Sequence, residues 1–128
     1  MTQRLPILLL AVFVSSAAAH AGQDAFEEQL IRAGYGVEQR TCVINELSKG
    51  GEAVDYALLA EGLQEQLDLA EAQGAPVDDA AREEILIGLA EALPMFAAFK
   101  SGPGDPEAMA RLSSVSSALL SNCLTLQK

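Results

Sequence analysis

The sequence predicts an all-α domain, a small bundle of four or five helices linked by one disulfide. After residue 22, apolar residues recur at intervals of three and four positions, the period of an amphipathic helix. Alanine and leucine, both strong helix formers, are abundant, and β-branched residues never alternate with polar ones over the length of a strand. The chain also lacks the Asn-Gly turn that is typical of a β-hairpin.

The first helix is predicted over residues 24–33. Its apolar edge consists of Phe26, Leu30 and Ile31. Glu27 and Glu28 lie on the opposite side. Two glycines flank Tyr35, and a glycine on each side of one residue indicates the end of a helix and a turn.

The second helix is predicted over residues 37–48. Its apolar stripe consists of Val37, Thr41, Ile44 and Leu47. Cys42 lies at the margin of this stripe, one position away. Lys49, Gly50 and Gly51 follow, and glycine directly after a periodic segment predicts its end.

The third helix is predicted over residues 52–72. Its apolar face consists of Tyr56, Leu59, Leu63, Leu67 and Ala70. Its acidic back consists of Glu61, Glu65 and Asp68. Gly74 and Pro76 then predict a turn, and either Asp78 or Asp79 is suited to cap the helix that follows.

The fourth helix is predicted over residues 79–100. Its broad apolar face consists of Ile85, Leu86, Leu89, Ala92, Leu93, Phe96 and Phe99. Gly88 is expected to let a neighbouring helix approach closely. Pro94 has no amide to donate to the Ala90 carbonyl, so a kink is expected there.

The fifth helix is predicted over residues 106–126, after a loop at residues 101–104. Asp105 is suited to cap it, and proline at position 106 suits its first turn. Its apolar stripe consists of Met109, Leu112, Ser116, Leu119, Cys123 and Leu126. The serines at positions 113, 114, 116 and 117 indicate close packing of a small-residue surface, because no base accompanies them to activate a nucleophile.

Cys42 and Cys123 are the two cysteines of the chain. In an oxidising compartment an even number of cysteines predicts disulfide pairing, and two cysteines allow one intrachain bond. The Cys42–Cys123 bond would join the second helix to the fifth. The alternative is two separate thiols. The chain has no Cys-x-x-Cys motif of the kind that redox enzymes use.

Residues 1–21 have the features of a bacterial-type export signal. Arg4 supplies a basic region, residues 5–14 are apolar, and Ala19-His20-Ala21 has the small-x-small form of a cleavage site. The alternative is an uncleaved anchor, but an apolar stretch over residues 5–19 is shorter than the roughly 20 residues needed to cross a bilayer. We expect cleavage after Ala21, a periplasmic or secreted protein, and a single helical domain over residues 22–128.

The charge of the chain narrows the classes of partner. The formal net charge is −10, and loss of Arg4 with the signal leaves seven basic against 18 acidic residues, a net charge of −11. Such a surface repels nucleic acid and anionic membranes, so neither is predicted as a partner. The simplest effect of the acidity is solubility.

Several catalytic chemistries are missing from the predicted mature chain. Loss of His20 with the signal leaves no histidine, and the chain has no glycine-rich phosphate loop and no haem motif, so no catalytic residue, metal or cofactor is predicted. Carboxylates remain: eleven acids lie between Glu52 and Glu91, against Arg82 alone. A twelve-residue window from Asp68 fails as a calcium loop, because alanines occupy positions that require oxygen ligands.

The segment around the proline of the fourth helix is predicted to be part of the core, with a possible partner groove as the alternative. Residues 93–99 are apolar on all sides, which is typical of a buried central helix. The alternative is an exposed groove with Met95 and one of Phe96 or Phe99 at the surface, since methionine and phenylalanine suit adaptable interfaces.

Together these features predict an exported, non-enzymatic binding or accessory protein. Its partner would be another protein or a small apolar ligand, and its oligomeric state is left open. One alternative is a periplasmic acid-stress chaperone that opens when its carboxylates are protonated and its net charge inverts. A second alternative is a hydrolase that uses carboxylates only, which requires two buried acids about 5–10 Å apart in a cleft.

Overall fold

The structure, a computed structural model, describes residues 22–101 and 106–124, with side chains for all of these except residues 96–101. These residues are all-helical, which confirms the predicted fold class. The helices are α1 (22–33), α2 (Val37–Ser48), α3 (Tyr56–Ala72), α4 (Asp79–Ser101) and α5 (Pro106–Asn122), with a 3₁₀ turn at Gly51–Ala53. The predicted export signal lies outside the described residues.

The helix boundaries differ from the predictions mainly at α3 and α5. The prediction that α3 begins at residue 52 was wrong, because a 3₁₀ turn intervenes and Asp55 caps the helix by accepting a hydrogen bond from the Leu58 amide at 3.1 Å. Asp78 caps α4 in the same way through the Ala81 amide at 2.9 Å. α5 ends at Asn122, before the predicted residue 126.

The link between α1 and α2 is fastened to the start of α4. Gly34 has a φ of +94°, a conformation that favours glycine, and the Tyr35 amide donates back to the Leu30 carbonyl at 3.1 Å. The Tyr35 hydroxyl donates to the Arg82 carbonyl at 2.6 Å, and the Arg82 guanidinium donates to the carbonyls of Val77 at 2.8 Å and Ala33 at 3.3 Å. Burial raises the pKa of Tyr35, so this hydroxyl remains a donor.

The core lies at the centre of the bundle and contains side chains from all five helices. Its fully buried large side chains are Phe26, Leu30, Leu47, Leu86, Leu93, Leu112 and Leu119. Four residues of the predicted apolar faces are exposed: Ile31 at 52%, Val37 at 68%, Thr41 and Met109. Their helices turn other residues inward, as the buried face of α2 shows most clearly.

The buried face of α2 carries Gln39, Val43, Glu46 and Leu47. Two of these are polar, and both find partners at the end of α5. The Gln39 amide donates to the Cys123 carbonyl at 3.0 Å, and the Glu46 carboxylate accepts from the Asn122 amide at 3.2 Å. Buried polar groups are tolerated when they are hydrogen-bonded. These contacts therefore allow α2 to bury a face that differs from its predicted apolar stripe.

The predicted disulfide is present. Cys42 of α2 and Cys123, directly after α5, are bonded with their Cα atoms 5.6 Å apart, across 81 positions of sequence. Cys123 is fully buried. The bond therefore reinforces the same contact between α2 and the end of α5 that the two polar side chains make.

Glu46 also receives a charged partner. The Lys49 ammonium donates to its carboxylate at 2.9 Å. The hydrogen bond from Lys49 and then that from Asn122 lower the pKa of Glu46 below the ordinary glutamate value, and burial opposes them. Because the folded state holds the ionised form, the contribution of Glu46 to stability is full above the unfolded-state pKa and is lost as the pH falls through the folded-state pKa.

The Glu46 contact predicts part of the acid sensitivity of the fold. In urea unfolding measured from about pH 7 to about pH 3, the wild type is expected to lose more stability below about pH 4.3 than Glu46→Gln, which cannot ionise. Glu38→Gln, on the exposed side of the same helix, is the matched control and is expected to follow the wild type. Parallel pH curves for the wild type and Glu46→Gln would contradict this assignment.

Pro94 leaves one carbonyl of α4 without its helical hydrogen bond, and a side chain of α5 replaces the missing donor. Proline has no amide for the Ala90 carbonyl, and the Ser116 hydroxyl donates to that carbonyl at 2.6 Å. Ser116 is half-buried, and α4 and α5 pack along each other at this point. The serine is therefore a packing and hydrogen-bonding residue.

Ser116→Ala is expected to lower the free energy of unfolding by about 1–2 kcal/mol, because a buried carbonyl loses its donor. In a Pro94→Ala background the restored amide at position 94 can bond to Ala90, and the cost of Ser116→Ala is expected to fall below about 0.5 kcal/mol. Ser117→Ala, at the neighbouring exposed position, controls for helix propensity. Equal costs in the two backgrounds, measured by urea unfolding, would rule out this repair.

Candidate functional site

An apolar groove runs between α3 and α4, which make little direct contact with each other. Two cavities of about 110 and 320 Å³ meet at Gln66 and Ile85 and form this groove. We call it the α3–α4 groove and define it by Leu58, Gly62 and Gln66 on α3, by Ile85, Gly88 and Ala92 on α4, and by Phe26 and Leu30 at its base. Pro76 and Val77, in the turn that joins the two helices, close one end.

The base of the groove belongs to α1, which is held firmly against α3. Phe26 and Leu30 are fully buried, and the Phe26 ring lies 6.1 Å from that of Tyr56. Nearer the other end of α1, the Arg32 guanidinium pairs with Asp68 at 2.8 Å and with Glu71 at 2.9 Å. Because α1 lies beneath both walls, α3 and α4 stay apart and their facing sides remain open.

A glycine stands at the middle of each wall. Gly62 lies within α3 and Gly88 within α4, and a Cβ added at either position would meet no atom within 4 Å. Neither has a positive φ, so the backbone does not require glycine at these positions. Glycine inside a helix costs roughly 0.5–1 kcal/mol relative to alanine. The two glycines therefore lower stability without filling a packing need, and their evident effect is to widen the groove.

The prediction that Gly88 lets a neighbouring helix approach closely was wrong. The open space around Gly88 faces α3, and α4 packs against α5 through other residues. In contrast, Gly50 is a true close-approach glycine, because an added Cβ would lie 2.5 Å from Val54 Cγ2 and 3.1 Å from Leu112 Cδ2.

The edges of the groove are acidic. Glu84 lines the groove, and Glu65 and Glu91 each lie one helical turn beyond a wall glycine. All three carboxylates are exposed. Apart from Gln66 and Glu84 the lining is apolar, so the groove combines an apolar floor with negatively charged margins.

Of the three residues of the possible partner groove at Pro94, the structure describes the side chain of Met95. Met95 is 58% exposed, three positions beyond Ala92, as the exposed-groove alternative requires. The side chains of Phe96 and Phe99 lie outside the described residues. The α3–α4 groove lies on the amino-terminal side of Pro94. Sequence reasoning missed Gly62 altogether, although a glycine inside each of two adjacent amphipathic helices is a signal for it.

A second, more polar pocket of about 180 Å³ lies between α1 and α2. It is lined in part by Glu27, Arg40 and Asn45. The Arg40 Nη1 donates to the Tyr35 carbonyl at 2.8 Å, while its buried Nε has no hydrogen-bond partner in the described part of the chain. One nitrogen of the guanidinium is thus bonded to the backbone, and another is buried.

The acids between residues 52 and 91 do not assemble into a reactive centre. Ten of the eleven are exposed, and the half-buried Asp55 caps α3. Within residues 22–101 and 106–124, no group of three or more His, Cys, Asp or Glu side chains is placed to hold a metal ion. In that part of the chain these acids form no buried carboxylate pair in a cleft.

Comparison of the chain with protein-family models, with curated proteins and with solved structures finds no match. Among the described residues, no helix is both long and apolar enough to cross a membrane.

Proposed function

We propose that this protein is an exported, non-enzymatic binding protein whose site is the α3–α4 groove. The groove takes an apolar surface of the partner, which contacts Leu58 and Ile85 at the walls and reaches toward Phe26 and Leu30 at the base. The observation that supports this proposal is the pair of wall glycines. They hold an apolar surface open to solvent at a cost in helix stability, and exposed apolar grooves are typical of interaction sites.

The export part of the proposal draws on different features. An apolar segment with a small-x-small site precedes residue 22, and a disulfide joins Cys42 to Cys123. Disulfides persist mainly in oxidising compartments such as the periplasm and the extracellular space. The mass of the protein recovered from the periplasm tests this directly. The proposal predicts a chain that begins at Gly22, and a full-length mass would contradict it.

The binding proposal is tested with an uncharged fluorescent dye, N-phenyl-1-naphthylamine, which brightens in apolar surroundings. The wild type is expected to bind the dye, and Gly62→Leu/Gly88→Leu to weaken binding by about tenfold or more, since two leucines fill the groove. Gln64→Leu adds an apolar side chain to the exposed face of α3 away from the groove and is the matched control. Equal dye binding by all three proteins would overturn the assignment of the site.

Replacement of the same glycines by alanine is expected to stabilise the protein. Gly62→Ala and Gly88→Ala are each expected to raise the free energy of unfolding by about 0.5–1 kcal/mol, because the helix interior favours alanine and the new Cβ meets open space. Gly74→Ala is the contrasting control. Gly74 also has open space around it, but its φ is +68°, so alanine there is expected to destabilise the fold. A loss of stability at positions 62 and 88 would show that these glycines have a packing role after all.

A further inference from the structure

We propose that the occupant of the α3–α4 groove is a cationic amphipathic helix of a partner protein. The inference rests on the proposed binding function and adds the chemistry of the partner. Three features of the groove support it: the charge of its margins, its length, and the small residues along its walls.

The margins of the groove select for positive charge. Glu84 lines the groove, exposed Glu65 and Glu91 lie one helical turn after its wall glycines, and the segment from residue 52 to residue 91 carries eleven acids against Arg82. That arginine is already engaged with Asp79 and with backbone carbonyls at the end of α1 and in the turn before α4. A ligand with an apolar face and basic flanks would therefore match the groove in both respects, since complementary potentials favour association and like charges oppose it.

The same charge argues against a second copy of this chain as the occupant. Each copy has a formal net charge of −10, so two copies would place acidic surfaces against acidic margins. Nucleic acid is opposed for the same reason.

The length and openness of the groove fit a helix better than a small molecule. The lining of α4 extends from Ala81 to Ala92, about 17 Å along the helix axis and three helical turns. A helix presents an apolar stripe of this length through residues spaced three and four positions apart. Small-molecule sites enclose most of the ligand, whereas several residues that line this groove, among them Leu58, Gly62 and Gly88, are exposed to solvent.

The small residues of the walls allow a helix to lie close. Gly62 of α3 faces the groove from one side, and Ala81, Gly88 and Ala92 face it from α4. The helix backbone of a partner can then approach both walls, and its apolar side chains pack on Leu58 and Ile85 above the buried base. A third helix would bury the apolar surface that α3 and α4 leave uncovered.

The test uses model peptides and fluorescence polarisation. The probe is a labelled amphipathic peptide of about 14 residues that contains leucine and lysine in helical period. Its two controls are the same peptide with glutamate in place of lysine, and a scrambled leucine–lysine peptide that has the same charge but no apolar face. The lysine peptide is expected to bind at least about tenfold more tightly than either control, and its binding is expected to weaken as salt rises.

Variants separate the groove from general attraction to an acidic protein. Glu65→Gln/Glu84→Gln/Glu91→Gln is expected to weaken lysine-peptide binding by about fivefold or more. Glu28→Gln/Glu38→Gln/Glu107→Gln removes the same charge from exposed sites outside the groove and is expected to stay within about twofold of the wild type. Gly62→Leu/Gly88→Leu keeps all charges and is expected to lose the advantage of the lysine peptide over its scrambled form.

The outcomes distinguish this inference from the proposed function. If the uncharged dye binds in the groove but the lysine peptide binds no better than the glutamate or scrambled peptide, the cationic helix is wrong and the groove stands. If the two triple variants weaken the peptide equally, the attraction is general and the inference is also wrong. If neither the dye nor any peptide responds to filling the groove, the proposed function itself fails.

Discussion

Replacement of Cys42 and Cys123 together by alanine is expected to lower the free energy of unfolding by about 3–4 kcal/mol. The bond spans 81 positions of sequence, and in the chain-entropy model a loop of that size contributes about 4.5 kcal/mol by restricting the unfolded chain. We expect somewhat less than this, because the unfolded chain retains some structure. Urea unfolding of the double variant and the wild type, monitored by circular dichroism, measures the difference.

The control for this prediction is the wild type after reduction. Its stability is expected to fall by a similar amount, since both proteins lose the same constraint. The hydrogen bonds of Gln39 and Glu46 to the end of α5 remain in both, so the native contact is expected to survive in the folded protein. An unchanged urea midpoint in the double variant would contradict the role given to the bond.

Phe26→Ala is expected to lower the free energy of unfolding by about 3–5 kcal/mol. The Phe26 side chain is fully buried at the base of the α3–α4 groove and contacts Tyr56 of α3. Its removal leaves a cavity beneath both walls, and the neighbouring helices can close it only in part. Urea unfolding measures the loss, and a domain of this size has little stability to spare.

Two further variants keep this prediction informative if Phe26→Ala does not fold. Phe26→Leu retains most of the apolar volume and is expected to cost less than half as much as the alanine variant. Ile31→Ala, on the exposed side of α1, is expected to change stability by no more than about 0.5 kcal/mol. A large effect at position 31 with a small effect at position 26 would reverse the assignment of the buried face of α1.

Sequence periodicity predicted the helices well, because each helix carries its own stop and start residues. The bounds of α2 agree with the prediction at both ends, and glycines at positions 34 and 36 end the preceding segment as expected. The inward face of α2 was predicted only in part: Leu47 is buried as expected, but Gln39 and Glu46 are also buried, by partners more than 70 positions away in sequence. Hydrophobic spacing along one helix carries no information about such partners.

The candidate site was harder to predict because it depends on the space between helices. A glycine in or next to a helix fits either close packing or an open wall, and only the distance to the neighbouring residues decides between them. Gly50 and Gly88 illustrate the two cases, one crowded by Val54 and the other open. The apolar run that contains Met95 was interpreted first as a core segment, whereas Met95 is 58% exposed, and the α3–α4 groove lies closer to the amino terminus of that helix.

The most direct test of the binding site is a nuclear magnetic resonance titration of the ¹⁵N-labelled protein with N-phenyl-1-naphthylamine. We predict that the largest shifts occur at the backbone amides of Leu58, Gly62, Gln66, Ile85 and Gly88, on the two facing walls of the α3–α4 groove. Shifts centred on the polar pocket at Arg40, or no saturable shifts, would contradict the account.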